Sequence, residues 1–307
     1  MREPTLGGMA QTEQDRPHPI LRPGNMNCGG CGMSTIFQLL SHAVAEREVK
    51  LVIPACCGAI TAAAFPQSAF DVPTILTTFA SAASVATGIA SVARLNNEDT
   101  RVICMAGDGG TYDIGLATLS AAAERNENIL YICYDNEIYG NTGGQRSSST
   151  PAGACTTSTP DGKTEVKKDI MAIMAAHRIP YAATVSIAHA DDALYKMRKA
   201  LDTSGFRFLH ILSPCPTGWK SEPAMGIELV RLAVRSGLFP VYEVFNGERY
   251  VISIEPDFSD EALSMYISLQ RRFRKSGVTE ASLRPNIDKY WHGLRALSGR
   301  IVPARHR

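Results

Sequence analysis

The stretch from Cys104 to Gly110 constrains the fold of this chain more than any other. Residues 101–106 predict a buried strand, which ends in a glycine turn at Gly107-Asp108-Gly109-Gly110 and leads into a helix. A second apolar run, residues 129–134, predicts another strand, and it ends at Asp135-Asn136. The order strand, turn, helix, strand predicts two parallel strands whose carboxyl ends face one crevice, where ligands bind in open α/β sheets.

Oxygen-bearing side chains follow both predicted strands. Asp108 offers a carboxylate after the first strand, and Asn136 offers an amide oxygen after the second. Glycines let the backbone approach an anion closely, and the helix that follows presents N–H groups to it. Mg²⁺ prefers oxygen ligands and commonly shares its site with phosphate. The pattern therefore predicts a site for magnesium and a phosphate group.

This pair of sites resembles the thiamine diphosphate motif, in which Gly-Asp-Gly precedes an Asn by a characteristic interval. Here 26 residues separate Gly109 from Asn136. The resemblance implies that Gly107, Asp108 and Gly109 bind thiamine diphosphate. It also implies that Mg²⁺ is held by the Asp108 carboxylate, the side-chain oxygen of Asn136 and the backbone carbonyl of Ile138. An ordinary strand-to-helix turn, whose glycines serve geometry alone, is the alternative.

Length and composition describe a globular protein. The 307 residues suffice for one large α/β domain or a domain with an appendage, and 45% are hydrophobic and 20% charged. The net charge of +1 points to neither a nucleic-acid nor a membrane partner. We find no signal peptide and no uninterrupted apolar run of about 18 residues, so we expect a cytoplasmic protein without a transmembrane helix.

The eight cysteines suggest metal or redox chemistry, because disulfides are not expected in a cytoplasmic chain. Cys28 and Cys31 form a glycine-rich Cys-x-x-Cys, and the others are isolated apart from the adjacent Cys56 and Cys57. A zinc site usually shows a second close pair, and a thioredoxin-like motif usually opens a helix directly after a strand. A 4Fe–4S cluster can use one pair and two remote cysteines. Zinc, redox thiols and buried structural cysteines remain alternatives.

Five motifs in order identify a broader resemblance. They are residues 24–32, the thiamine motif, and residues 134–151, 167–169 and 213–219. Over residues 24–250 the chain resembles the beta subunit of the 2-oxoacid:ferredoxin oxidoreductases, the pyruvate:ferredoxin oxidoreductase group. The resemblance implies oxidative decarboxylation of a small oxoacid, with thiamine diphosphate, Mg²⁺ and a 4Fe–4S cluster passing single electrons to ferredoxin. It also implies partner subunits of the alpha, gamma and delta types.

The same resemblance assigns roles to four cysteines. It implies that Cys28, Cys31, Cys56 and Cys215 hold the cluster, and Cys57 is a neighbour that could be confused with Cys56. Cys104 and Cys133 lie in predicted buried strands, so we expect them to be small apolar core residues.

A long polar segment, residues 139–168, follows the magnesium motif, and loops of this length are usually functional or disordered. The resemblance places Asn141 beside the reactive thiazolium ring and Thr142-Gly143 near the diphosphate. For residues 147–164, a solvated arm or a subunit clasp is the alternative. In this family the glutamate that activates thiamine comes from a partner subunit, and Glu137 is a poor candidate, so we expect the chain alone to be inactive.

The substrate prediction rests on departures from the pyruvate pattern. This chain has Gly24-Asn25 before the first cluster cysteine, Cys56-Cys57-Gly58 at the third, and Thr78-Phe79-Ala80-Ser81 where pyruvate enzymes carry a Phe-Glu-Asn-type sequence. These departures favour oxalate, as in oxalate oxidoreductase, with CO₂ as the only product. Pyruvate with coenzyme A is the alternative. Two further alternatives are an electron-transfer subunit without thiamine and a non-oxidative thiamine lyase.

The fold class predicted is α/β, an open and mostly parallel sheet with helices on both faces. We expect an N-terminal arm over residues 1–23 and a cofactor-binding α/β domain over residues 24–255. A hairpin around Asn246-Gly247 would close that domain. Residues 256–307 are expected to form a helical extension that ends in a basic, proline-bearing tail.

Overall fold

The structure is a computed structural model, and it describes residues 19–61 and 66–299. Most of the predicted arm, residues 1–18, lies outside the described residues. The helices are α1 (Gly32–Val44), α2 (Cys57–Thr61), α3 (Ala82–Leu95), α4 (Leu116–Glu124), α5 (Ile170–Ala176), α6 (Ala190–Asp202), α7 (Pro216–Trp219), α8 (Gly226–Arg235), α9 (Asp260–Ser268) and α10 (Glu280–Ser298). The strands are β1 (Glu48–Pro54), β2 (Thr74–Thr77), β3 (Thr100–Gly107), β4 (Leu130–Asp135), β5 (Tyr181–Ser186), β6 (Arg207–Leu212), β7 (Val241–Phe245) and β8 (Arg249–Ile254).

The described strands form one sheet in the order β2-β1-β3-β4-β6-β5-β7-β8. The first six pair in parallel, and the β7–β8 hairpin is added antiparallel at one edge. This confirms the predicted open, mostly parallel sheet. β3 and β4 are central neighbours, with Gly107 opposite Tyr134 in the register. The residues that follow these two strands therefore emerge side by side at one edge of the sheet.

Both faces of the sheet are covered, which explains why its central strands are continuous apolar runs. Successive β3 residues alternate between two layers: Ile103 packs with α1, α6 and α8, and Cys104 packs with α3, α4 and α5. Cys104 and Cys133 are fully buried in β3 and β4, as predicted. None of the described helices is both long and apolar enough to cross a bilayer.

The C-terminal region differs from the predicted basic tail, because residues 280–298 form α10 with Pro285 inside it. Its buried side chains recur at helical spacing and pack on the sheet face that carries Cys104; they are Leu283, Ile287, Trp291 and Leu294. Trp291 is 2% exposed, and its Nε1 donates to the Gly237 carbonyl at 2.8 Å. The division of the chain into three regions remains a prediction. The helix α10 packs on the same sheet as the predicted cofactor-binding domain.

Candidate functional site

The carboxyl ends of β3 and β4 carry the predicted magnesium ligands. Asp108 follows β3 directly and is 1% exposed, and Asn136 and Ile138 follow β4 and are also buried. Two hydroxyls join the two strand ends: Ser147 Oγ donates to Asp108, and Thr150 Oγ1 donates to the Glu137 carbonyl at 2.7 Å. The structure thus brings these strand ends together, as the sequence predicts.

Asp108 is a buried carboxylate that forms no ion pair within the described residues, although the charge of Lys167 acts to lower its pKa. Its hydrogen bond comes from the neutral Ser147 hydroxyl. Burial, and then the nearby charge of Asp135, raise the pKa of Asp108 well above its usual value. A buried carboxylate of this kind is stabilised when a cation binds it, which fits the expected magnesium ligand.

Asp135, at the end of β4, has the opposite environment. It accepts hydrogen bonds from His210 Nε2 at 2.7 Å and Tyr112 OH at 3.0 Å, and Lys167 Nζ lies 2.7 Å from it. Although burial acts to raise it, Lys167 and His210 hold the pKa of Asp135 below its usual range. Asp135 is therefore an ionised structural group rather than a candidate metal ligand.

Glu137 turns its side chain inward, away from the predicted magnesium ligands. Its backbone has φ of +63°, and the residue is 5% exposed. One carboxylate oxygen lies 3.2 Å from Lys167 Nζ, and the other lies 2.7 Å from an Arg272 nitrogen. Asp135 and Glu137 are thus balanced by two cations, and Asp108 is left as the unbalanced carboxylate of this group.

The glycine turn after Asp108 is covered by the loop that follows Ile138. Residues Gly109–Asp113 form a π-helical turn. A Cβ on Gly109 would lie 2.0 Å from the Tyr139 ring, so a side chain there is excluded. Tyr139 OH donates to Asp113 at 2.7 Å. Gly109 therefore serves close packing of the two loops that carry the predicted cofactor ligands.

A second group of residues lies beside this loop. It comprises Cys28, Cys31, Cys57 and Cys215, and we call it the thiol group. Gly32 N donates to the Pro214 carbonyl at 3.0 Å, and a Cβ on Gly32 would lie 2.4 Å from the Pro214 ring. This close approach places Cys31 beside Cys215. Burial, and then the charges of Cys215 and Cys28, raise the pKa of Cys31 to about 11.

The thiol of Cys57 lies close to those of Cys28, Cys31 and Cys215, and the cluster role of Cys56 stays a prediction. Cys56 Sγ donates to the Pro54 carbonyl at 2.9 Å and lies against Tyr134. Burial and the thiol charges of Cys56, Cys215, Cys31 and Cys28 raise the pKa of Cys57 to about 12. Because α2 begins at Cys57, the two adjacent side chains point in different directions.

The thiol group lies beside residues 136–140, the loop that follows β4 and carries two of the predicted magnesium ligands. We call this segment the magnesium loop. A Cβ on Gly140 would lie 3.6 Å from Cys57 Sγ. A Cβ on Gly218 would lie 2.7 Å from Ile138 and 3.3 Å from Cys215 Sγ. Gly140 in the magnesium loop and Gly218 beside Cys215 thus lie where the two predicted cofactor sites adjoin.

The thiol group does not have the geometry of a zinc site. Within residues 19–61 and 66–299, no three Cys, His, Asp or Glu side chains converge on a point where one metal ion could bind. Zinc needs four ligands around a single ion, whereas in a 4Fe–4S cluster the four thiolates are spread over a larger group.

Asn141, Thr142 and Gly143 lie on an exposed turn directly after the magnesium loop, and their contacts with thiamine remain predictions. Residues 147–164 differ from a solvated arm. Lys163 Nζ donates to the Thr150 carbonyl at 2.7 Å, and the Cys155 N–H donates to the Arg272 carbonyl at 2.8 Å. This segment packs onto the protein and supplies the hydroxyls at Asp108 and Glu137.

Sequence reasoning missed the residues that surround Asp135 and Glu137. Lys167 appeared only as part of a motif, and Tyr112 and His210 appeared as ordinary residues of a helix and a strand. Arg272 carried no local signal, because it lies between α9 and α10 and reaches Glu137 across 135 residues of sequence. A cavity of about 510 Å³ lies under α10 beside His210, and none of the predicted cofactor residues lines it.

Comparisons with known proteins agree with this geometry. The sequence profile of the family described as "Thiamine pyrophosphate enzyme, C-terminal TPP binding domain" matches residues 55–211. The pyruvate synthase subunit PorB of Methanothermobacter thermautotrophicus is 42% identical over 283 residues, which cover 90% of this chain and 97% of that protein. The ketoisovalerate oxidoreductase subunit VorB of Pyrococcus furiosus is 42% identical over 262 residues, 82% of this chain and 84% of the relative.

One solved structure shows the same fold. It is the 2-oxoglutarate:ferredoxin oxidoreductase from Magnetococcus marinus, with 2-oxoglutarate, coenzyme A and succinyl-CoA bound. The TM-score is 0.59 at 23% sequence identity, and the match covers 74% of this chain and 84% of that chain.

Proposed function

Because this chain belongs to the beta subunits of the thiamine diphosphate-dependent 2-oxoacid:ferredoxin oxidoreductases, we propose that it acts in the oxidation of pyruvate. We propose that it holds magnesium, the diphosphate of thiamine diphosphate and one 4Fe–4S cluster. The observation that carries this proposal is the closeness of the two groups: Gly140 lies beside Cys57, and Gly218, whose N–H donates to Cys215 Sγ at 3.3 Å, lies against Ile138.

The proposed magnesium ligands are Asp108, Asn136 and the carbonyl of Ile138. The buried and unbalanced carboxylate of Asp108 fits a cation. When bound, thiamine diphosphate supplies the group that accepts the electron pair left behind as CO₂ departs. Asp108, Asn136 and the Ile138 carbonyl would hold the magnesium ion that anchors its diphosphate.

The proposed cluster ligands are Cys28, Cys31, Cys57 and Cys215. Cys31, Cys57 and Cys215 are partly buried and Cys28 is exposed, so a cluster here would reach the surface on one side. A cluster at this place would lie between the thiamine site and the exterior, where single electrons can pass to ferredoxin. The partner subunits and ferredoxin are part of this proposal.

Oxalate is no longer the preferred substrate. The relatives that match at 42% identity are pyruvate synthase and ketoisovalerate oxidoreductase subunits, and both names refer to 2-oxoacids with a single carboxylate. Oxalate carries a second carboxylate, which calls for an additional cation. Lys167 and Arg272 are already paired with carboxylates of the chain. We therefore propose pyruvate, with coenzyme A as the acyl acceptor and acetyl-CoA as the product.

The test is reduction of methyl viologen by the anaerobically purified complex. Pyruvate, 3-methyl-2-oxobutanoate and oxalate are each supplied with and without coenzyme A. We expect the highest kcat/KM with pyruvate, and only in the presence of coenzyme A. A higher value with 3-methyl-2-oxobutanoate would replace the substrate but leave the reaction class, whereas activity with oxalate alone would overturn both the substrate and the coenzyme A requirement.

Cofactor analysis of the same preparation tests the other two proposed groups. Release of thiamine diphosphate on denaturation is expected, and its absence would favour an electron-transfer subunit. A brown chain whose visible absorbance is bleached by dithionite is expected after separation from its partners without oxygen. A colourless chain without iron would show that the clusters reside in other subunits.

A further inference from the structure

We propose that Lys167 and Arg272 are positioning residues that fix the shape of the magnesium loop by holding the Glu137 side chain between them. The inference rests on the proposed function, because it concerns how that loop presents its oxygens to a cation. Glu137 itself lies between Asn136 and Ile138, the two residues whose oxygens are proposed to bind magnesium.

The backbone of Glu137 needs such a restraint. Its φ of +63° lies in the left-handed region, which L-residues other than glycine seldom adopt. The Glu137 side chain is buried, as are its neighbours Asn136 and Ile138. The loop keeps this shape only if contacts made by Glu137 offset the strain.

Two cations supply these contacts, one to each carboxylate oxygen. Lys167 Nζ lies 3.2 Å from Oε1, and an Arg272 nitrogen lies 2.7 Å from Oε2. Both oxygens of Glu137 are therefore engaged, so the side chain cannot rotate without losing an ion pair. The residue is 5% exposed, and ion pairs shielded from water are screened little by salt.

The same cations also act on the two residues before Glu137, on Asp135 directly and on Asn136 through Trp219. Lys167 lies 2.7 Å from Asp135, the last residue of β4. Arg272 lies over the ring of Trp219, with 4.5 Å between its guanidinium carbon and the ring centre. Trp219 Nε1 in turn donates to the Asn136 carbonyl at 2.9 Å. The pair therefore fixes the loop from its start to the first of the proposed ligands.

The charges of this arrangement are balanced. Asp135 and Glu137 contribute two negative charges, and Lys167 and Arg272 contribute two positive ones. The loop is held without placing a net charge next to Asp108. Removal of Lys167 would leave two carboxylates facing one cation, and Glu137 would then be released to rotate.

The experiment measures cofactor binding by the intact complex that carries Lys167→Met, Lys167→Arg or Lys199→Met in this subunit. Lys199 is the matched control, because it forms a 2.7 Å ion pair with Glu243 and its side chain is 24% exposed, compared with 28% for Lys167. The readouts are the Kd for thiamine diphosphate at fixed Mg²⁺ and the binding of Mn²⁺, in place of Mg²⁺, followed by electron paramagnetic resonance.

We expect Lys167→Met to weaken both binding constants by about tenfold to a hundredfold, as for groups that orient metal ligands. Lys167→Arg and Lys199→Met are expected to stay close to the wild-type values. At saturating Mg²⁺ and thiamine diphosphate the kcat of Lys167→Met should largely recover, which a general loss of structure would not allow. Unchanged Kd values in Lys167→Met would overturn the inference.

A second variant keeps the test decisive if Lys167→Met does not assemble. Arg272→Met removes the cation that lies 2.7 Å from Glu137, together with its hydrogen bond to the Tyr266 hydroxyl at 3.1 Å. It should weaken Mn²⁺ binding in the same way, and wild-type binding by it would also overturn the inference. If the wild-type complex itself shows no Mg²⁺-dependent binding of thiamine diphosphate, the proposed function fails instead.

Discussion

Asp108 shows at the residue scale how a functional group can oppose stability. A buried carboxylate with one neutral hydrogen-bond donor destabilises the cofactor-free fold, because it forms no ion pair among the described residues that would offset its loss of hydration. The same isolation makes it a strong ligand for a cation. Its environment therefore suits cofactor binding better than folding.

We predict that Asp108→Asn leaves the cofactor-free protein as stable as the wild type or up to about 1–3 kcal/mol more stable. In the wild type, Mg²⁺ and thiamine diphosphate at 100 times Kd should add about 2.7 kcal/mol of stability. The variant should lose this addition. Differential scanning calorimetry with and without the cofactors measures both effects, and a variant that is still stabilised by them would remove Asp108 from the site.

The adjacent cysteines allow a matched comparison. Cys57→Ser should remove the cluster, because its thiol belongs to the thiol group, whereas Cys56→Ser should retain it, because Cys56 donates to Pro54 inside the fold. Iron and sulfide analysis and the visible spectrum of anaerobically purified protein measure the difference. The reverse result would restore Cys56 as the ligand.

At the scale of elements, the glycine of α7 couples the two cofactor sites. Gly218→Ala should push Ile138 away, because the new Cβ would lie 2.7 Å from its Cγ2. We expect a loss of about 1–3 kcal/mol of folding stability and weaker binding of thiamine diphosphate.

Gly88→Ala in α3 is the control, since no atom lies within 4 Å of its Cβ position. It should be neutral or stabilising by about 0.5–1 kcal/mol. Chemical denaturation and cofactor titration report on both variants, and equal behaviour would show that the contact is not needed.

The accuracy of the sequence predictions also varied by element. β3, β4 and the glycine turn were predictable, because each depends on a local apolar run and its terminating residues. The choice between Cys56 and Cys57 was not, since it depends on where α2 begins. Lys167 and Arg272 could not be assigned either, because their partners come from packing between distant segments. The helix α10 lies within the helical extension predicted over residues 256–307, and tertiary packing stabilises its apolar pattern despite Pro285.

That pattern makes α10 part of the core. Trp291→Ala should cost about 3–5 kcal/mol, because it removes a buried ring that packs 5.4 Å from Phe258 together with its hydrogen bond to Gly237. The neighbouring exposed residue gives the control: His292→Ala should change stability by less than about 0.5 kcal/mol. Urea denaturation measures both, and a small effect of Trp291→Ala would mean that α10 contributes little to the fold.

At the scale of the whole molecule, the candidate site is incomplete in one respect. Activation of thiamine requires a carboxylate against its aminopyrimidine ring, as the family resemblance implies. The described carboxylates beside Asp108 are already engaged: Glu137 by Lys167 and Arg272, Asp135 by Lys167 and His210, and Asp113 by Tyr139. We propose that a partner subunit supplies the missing carboxylate.

The isolated chain should therefore bind its cofactors without turning over. With thiamine diphosphate, Mg²⁺ and a reconstituted cluster, its rate of methyl viologen reduction with pyruvate should fall about 10²–10⁴-fold below that of the complex, the usual effect of removing an acid–base group. Cofactor binding should persist, because Asp108, Asn136 and the thiol group all belong to this chain. Adding back the partner subunits should restore the rate. Partner subunits in which one glutamate at a time is replaced would identify the carboxylate that activates thiamine. Full activity of the chain alone would mean that Glu137, despite its two ion pairs, or another carboxylate of this chain activates thiamine.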